Sequence, residues 1–267
     1  ALGSVQARGL TSEQLGALST DDVAQLSTTA VAALSTGALE GLDEARAQAL
    51  SSTQVGALTT GQLTALTSEQ VATLGSDEGA GLKSSQLSAL STTSLRALNT
   101  DAVGALTTGA LRGLSAAQFG SLTTEQLQSL TTGQAASLVT SQVSGLSSAQ
   151  VDVLESQDLG SLSTVVVASL GTTALAGLDA GQLVGMTSAQ MGSLTSQQVQ
   201  ALTTTQLGAL GSDEGAGLKS SQLSVLSTTN LQALSTDALG ALSTDALKGL
   251  SSTQFGSLTT EQLQSLT

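Results

Sequence analysis

Four adjacent acidic pairs, Asp21–Asp22, Asp43–Glu44, Asp77–Glu78 and Asp213–Glu214, are the side chains of this sequence best suited to chemistry. Paired carboxylates can share a proton in general acid–base work, or supply oxygens to a divalent cation. The last two pairs lie in a segment that occurs twice, at residues 75–81 and 211–217 (GSDEGAG). With a hydroxyl and carbonyl oxygens, Asp77, Glu78, Asp213 and Glu214 are candidate Ca²⁺ ligands. They lack the alternating acidic spacing of an EF-hand. The competing reading is that acids in a first helical turn are solvated partners of the helix dipole. Other catalytic chemistry has no residues to work with. There is no His and no Cys, so Ser-His-Asp and Cys-His nucleophiles and zinc sites are excluded. No glycine-rich stretch matches a phosphate-binding loop. The sequence predicts a protein that is not an enzyme and holds no cofactor.

The composition narrows the partners. Charged residues make up only 10 % of the 267, and the net charge is −13. That balance opposes phosphate neutralisation, so no nucleic-acid partner is expected, and it opposes anionic membrane surfaces. No apolar run is long enough to span a bilayer, so no membrane insertion is expected. The first residue is Ala1 rather than Met, which reads as a processed chain or a fragment.

The elements that must position these acids come from a repeat. Leu stands at 2, 10, 18, 26 and every eighth residue onward to Leu266, with Met186 as the one exchange. This column is position a. Five residues later runs a second apolar column (Leu15, Val23, Val31, Leu39), which weakens to Ala at 7, 47 and 135 and to Gly at 79 and 215. Phe119 and Phe255 stand in it and are predicted to fill the core. The residue before each a is usually small. A longer period overlies the octads: residues 75–131 and 211–267 are identical at 47 of 57 positions, 136 residues apart. The chain therefore reads as one continuous array over 1–267, holding two copies of a super-repeat, 1–131 (truncated) and 132–267.

The period discriminates between backbones. A continuous α-helix turns about 100° per residue, so each octad leaves a residual of about 80° and the Leu column forms no stripe. In a flat strand, a and a+5 face opposite sides. A chain of very short helices fits. The residue after a is usually Ser, Thr, Asp or Asn, the preferred N-caps. Three residues later comes Gln in about half of the octads, which makes a capping box. Thr123 with Gln126, and Thr259 with Gln262, are such pairs. Leu122 and Leu127 flank Thr123 as a hydrophobic staple. With Leu130, Leu258 and Leu263 they are predicted core. Charge is sorted to match: 18 of 20 acids lie at a+1 to a+4, and four of seven basic residues lie at a+6. The predicted fold is all-α, a repeat solenoid of capped helices of five to seven residues, one per octad, with a β-solenoid as the alternative. Helices this short must be held by stacking on their neighbours. The GSDEGAG segments, with Gly at the cap and at a+5, predict a bend or seam once per super-repeat, or close contact with another chain. Lys83 and Lys219, at the following cap positions, are expected to pair with the acids.

The pattern Leu-Ser/Thr-x-x-Gln-Leu/Val-x-Ala, as in residues 122–130 (LTTEQLQSL) and 58–66 (LTTGQLTAL), resembles tandem arrays of large bacterial surface or secreted proteins. These are often labelled haem-utilisation or adhesion proteins. The resemblance covers the whole chain and implies an extracellular or cell-surface location. Haem ligation is not carried over, because His, Cys and Tyr are absent. The functional expectation is a structural protein, a filament subunit or adhesin stalk, with itself as partner. Ala1 and Thr267 cut the octad frame without polar caps, so the array is expected to continue or to pair with other copies. The alternative is a binding module whose Ser/Thr-rich face meets a glycan, ice or another surface.

Overall fold

A computed structural model of the chain describes residues 2–266; Ala1 and Thr267, where the sequence cuts the octad frame, lie outside the described residues. Among the described residues there are thirty-three helices of four to six residues and no strand. We number them α1–α33 in chain order, from α1 (Ser4–Arg8) to α33 (Thr260–Ser265). The chain is an all-α repeat solenoid, and the β-solenoid alternative is not formed. The helices are slightly shorter than expected because the a residue closes each octad in extended conformation, as at Leu106 (φ −55°, ψ 136°). Its N–H first bonds the carbonyl three residues back, as from Leu106 to Val103 at 3.2 Å. The next residue is already the extended N-cap of the following helix.

No described residue has a positive φ, glycines included. The chain turns from helix to helix with ordinary backbone conformations. What holds the turns is stacking. Within each unit, helices pack on the helix three further along: α7 (Ser52–Val55) on α10 (Ser76–Gly81), α10 on α13 (Thr100–Ala105), α27 (Ser212–Gly217) on α30 (Thr236–Gly240). One turn of the coil therefore uses between three and four octads. Two compact units result, one up to Gln134 and one from Ala135. Within each the same stacking recurs.

Both apolar columns face the inside of the coil. Leu122, Leu127 and Leu130 are buried, as is Leu258. Leu263 differs from the expectation: it is 42 % exposed, and Phe255 is 45 % exposed where Phe119 is fully buried. An a+5 position gets its cover from later octads, as Gly79 meets Ala102. Gly79 and Gly215 serve close approach within the chain rather than contact with another chain. A Cβ at Gly79 would lie 2.3 Å from the Ala102 carbonyl oxygen, and one at Gly215 would lie 2.2 Å from that of Ala238. The GSDEGAG segment itself forms an ordinary six-residue helix, α10.

Burial sets the expected cost of truncation. Leu87 has no exposed surface, so Leu87→Ala should destabilise by about 2–5 kcal/mol. Leu263→Ala, at a half-exposed site of the same column, should cost about 1 kcal/mol or less. Urea unfolding of the two variants beside the parent chain measures the difference.

Candidate functional site

The capping pairs stand where the repeat puts them. In α16 (Thr124–Gln128) the Gln126 N–H donates to Thr123 Oγ1 at 3.2 Å, and the Thr123 N–H donates to Gln126 Oε1 at 3.0 Å. Thr259 and Gln262 repeat both bonds, at 3.2 and 3.0 Å. The glutamine does more than close a capping box. Gln126 Nε2 donates to the carbonyls of Leu95 and Leu98, at 2.8 and 2.6 Å, on the preceding turn of the coil. Gln262 Nε2 reaches Leu231 and Leu234 at 2.9 and 2.8 Å. Gln62 reaches Val31 and Leu34, both at 2.8 Å.

The recurring acceptors stand 31 and 28 residues back, at an a+5 and the next a, and several glutamines, such as Gln118 and Gln182, also reach the carbonyl 30 residues back. The a carbonyl ends its helix with no intrahelical donor left, and the glutamine supplies one. The amide is buried and spends its oxygen on its own helix and both its protons on the neighbouring turn. This ladder runs through each unit and is the repeated polar site of the molecule. Arg46 joins it by other means: its Nε donates to Leu18 O at 2.8 Å, again 28 residues back, while its guanidinium pairs with the Asp43 cap. Sequence reasoning assigned the glutamines to capping and missed their second bond. The available signal was the choice of amide over acid. Glu satisfies a capping box equally and suits the dipole better, yet this position holds Gln in 18 octads and Glu in two.

The acidic pairs do not come together as a site. Glu78 and Glu214 occupy the ladder position, buried, and each caps its own helix by accepting the N–H of Gly75 or Gly211 at 2.8 Å. Their neighbours Asp77 and Asp213 are exposed to solvent. One carboxylate of each pair is buried and the other is exposed. Among the described residues no group of three or more His, Cys, Asp or Glu side chains could hold a metal ion. Asp21, Asp22, Asp43 and Glu44 are likewise exposed. Lys83 and Lys219 make no ion pair. Among the described residues the ion pairs seen are Arg46–Asp43 and Lys248–Asp245, the latter at 2.7 Å, and each lysine instead extends over a glycine of the preceding turn, Gly56 or Gly192.

The exposed first-turn acids act on stability through the helix ends. The Glu125 carboxylate is held below its ordinary value by its own backbone N–H, then by the hydroxyls of Thr123 and Thr124. Glu69 is lowered in the same way by its own N–H and Thr67, and Asp22 by the hydroxyl and N–H of Ser19. A carboxylate depressed on folding contributes stability above its unfolded value, and that contribution disappears as pH falls through the folded value.

Two predictions follow from the ladder and its caps. Gln126→Ala removes a cap and two buried bonds and should cost about 2–3 kcal/mol in urea unfolding. Gln14→Ala should cost about 1 kcal/mol or less, because exposed Gln14 makes only the cap bond with Thr11. Glu125→Gln should lower the melting temperature at pH 6, and the gap to the parent chain should close at pH 3. Thermal melts of both proteins at the two values check the sign, since the remaining net charge is common to both.

The membership of the chain rests on its repeats. The model of the ALTTAQ repeat matches residues 1–28, 48–76, 80–111, 104–132, 151–188, 175–212 and 238–267. No curated protein matches the chain. The matched segments cover well over half of the sequence, in both units, and the chain belongs to the ALTTAQ repeat family.

Proposed function

We propose that the chain is a structural repeat segment of an extracellular or cell-surface protein, a stalk or filament element that associates through its solenoid surfaces and catalyses nothing. The observation that carries this reading is the ladder. The same two bonds recur at the same separations along each unit, as at Gln54, Gln86, Gln190 and Gln222. Polar side chains that an enzyme would direct into a cleft are spent here on holding one turn to the next. No described helix is long and apolar enough to cross a membrane. The surface acids and the net charge of −13 suit a chain that stays hydrated in company with its own copies and offers nucleic acid nothing to bind.

A second reading has its own support. The N-cap hydroxyls are spent on capping, but those of the next residue are not. Thr28, Thr36, Thr60, Thr92 and Thr100 are exposed, and their hydroxyls bond to nothing in the protein. Such a face suits a glycan or another hydroxylated surface, and glycan-array binding by the monomer would favour it.

Electron microscopy of the purified chain at several concentrations tests the structural reading. Uniform filaments, or discrete particles of constant width that survive dilution, are expected. Irregular compact particles of varying size would overturn it.

A further inference from the structure

The ladder lacks an amide at Ala30 and Ala38 in the first unit and at Val166 and Ala174 in the second, and one further gap, which faces a glycine, recurs at the same place in both units. We infer that each unit carries a built-in weak seam, an interface between adjacent turns that opens before the rest of the coil. In the first unit it separates α9 (Ser68–Ala72), α10 and α11 (Ser84–Ala89) from α12 (Thr92–Ala97), α13 and α14 (Thr108–Leu111). In the second it separates α26 (Thr204–Ala209), α27 and α28 (Ser220–Leu223) from α29 (Thr228–Ala233), α30 and α31 (Thr244–Leu247).

Three observations meet there. The ladder positions of α12–α14 hold Ser94, Ala102 and Ala110, and those of α29–α31 hold Asn230, Ala238 and Ala246. None has an amide that reaches the preceding turn. The Ser94 hydroxyl is held by Ser91 at 2.9 Å, within its own octad. Next, the apolar residue at the middle of the interface is Gly79 or Gly215 in place of a leucine. Contact is backbone against backbone, at Ala102 and Ala238. Close approach of small residues recovers dispersion energy but buries little apolar side chain. Finally, the turns on either side are laddered. Gln86 bonds Val55 and Leu58, and Gln118 bonds Leu87 and Leu90. Gln222 and Gln254 do the same in the second unit.

Some bridging remains at each seam. Asn99 Nδ2 donates to Ala72 O at a long 3.4 Å, and Ser235 Oγ donates to Leu210 O. Neither is the paired amide contact that joins laddered turns. In a repeat fold stability is a sum of neighbour terms, so an interface poor in them bounds a unit of local unfolding. Under tension or mild denaturant the coil then parts at one interface in each unit and recloses without losing the remainder. This goes beyond the proposed structural role and does not depend on where the protein resides.

Hydrogen exchange of the full chain, followed by mass spectrometry under native conditions, tests it. Amides of α12–α14 and α29–α31 should exchange about tenfold faster than those of the fully laddered run α23 (Ala180–Val184), α24 (Ser188–Met191) and α25 (Ser196–Ala201). The double variant Ser94→Gln, Asn230→Gln adds a rung to each seam, with Ser91 and Ser227 already in place as caps. It should slow exchange at the seams by about fivefold to tenfold and leave α23–α25 unchanged. Equal protection of seam and laddered turns in the parent chain would overturn the inference, and so would a double variant whose seam exchange is no slower.

Discussion

Everything in this molecule depends on a side-chain amide that faces two ways. A helix of four to six residues has more unpaired backbone groups than paired ones. It leaves about four donors at one end and about four acceptors at the other. Alone in water it does not form. The glutamine at the third helical position answers both ends at once. Its oxygen takes a donor of its own helix, and its nitrogen serves two acceptors of a helix one turn earlier. Among the described residues the buried side-chain polar atoms accordingly all have partners. Burying an amide without partners would cost several kcal/mol; fully paired, it both caps and positions.

The apolar columns supply most of the driving force, and the ladder decides the register. Leucines spaced eight apart would tolerate sliding of one turn against the next, since one leucine resembles another. The pair of carbonyls at 28 and 31 residues back does not. A glutamine finds both acceptors only when the turns are aligned by whole octads. Arg46, which reaches the Leu18 carbonyl with a guanidinium in place of an amide, shows that the constraint is the acceptor geometry rather than the residue type.

Much of this was legible in the residues. The unbroken leucine column, Ser or Thr after it, and Gln three further on, as in Leu122, Thr123 and Gln126, are sufficient to derive short capped helices and their buried faces. The charge sorting, with Glu125 and Asp237 in first turns, favoured helices over the β-solenoid kept as the alternative. What was not legible depends on distances through space. The separations of 28 and 31 residues follow from how many octads close a turn, which no local signal encodes. The inward turn of Glu78 beside the outward turn of Asp77 follows from their positions on a helix whose buried side was inferred only for the apolar columns.

The bond that reaches back 28 residues also governs how such a gene can change length. A deletion of one residue would leave every downstream octad intact and correctly capped. It would nevertheless move each of the next glutamines off its carbonyls and break the rungs across a whole turn. Removing or adding eight residues shifts donors and acceptors alike and lets each glutamine find an equivalent pair. Length is thus inherited in quanta, and the reading frame of the protein, as distinct from that of its codons, is eight. The leucine column that keeps its phase from Leu2 to Leu266 is what such a filter leaves behind: recombination between octads passes, and slippage within them does not.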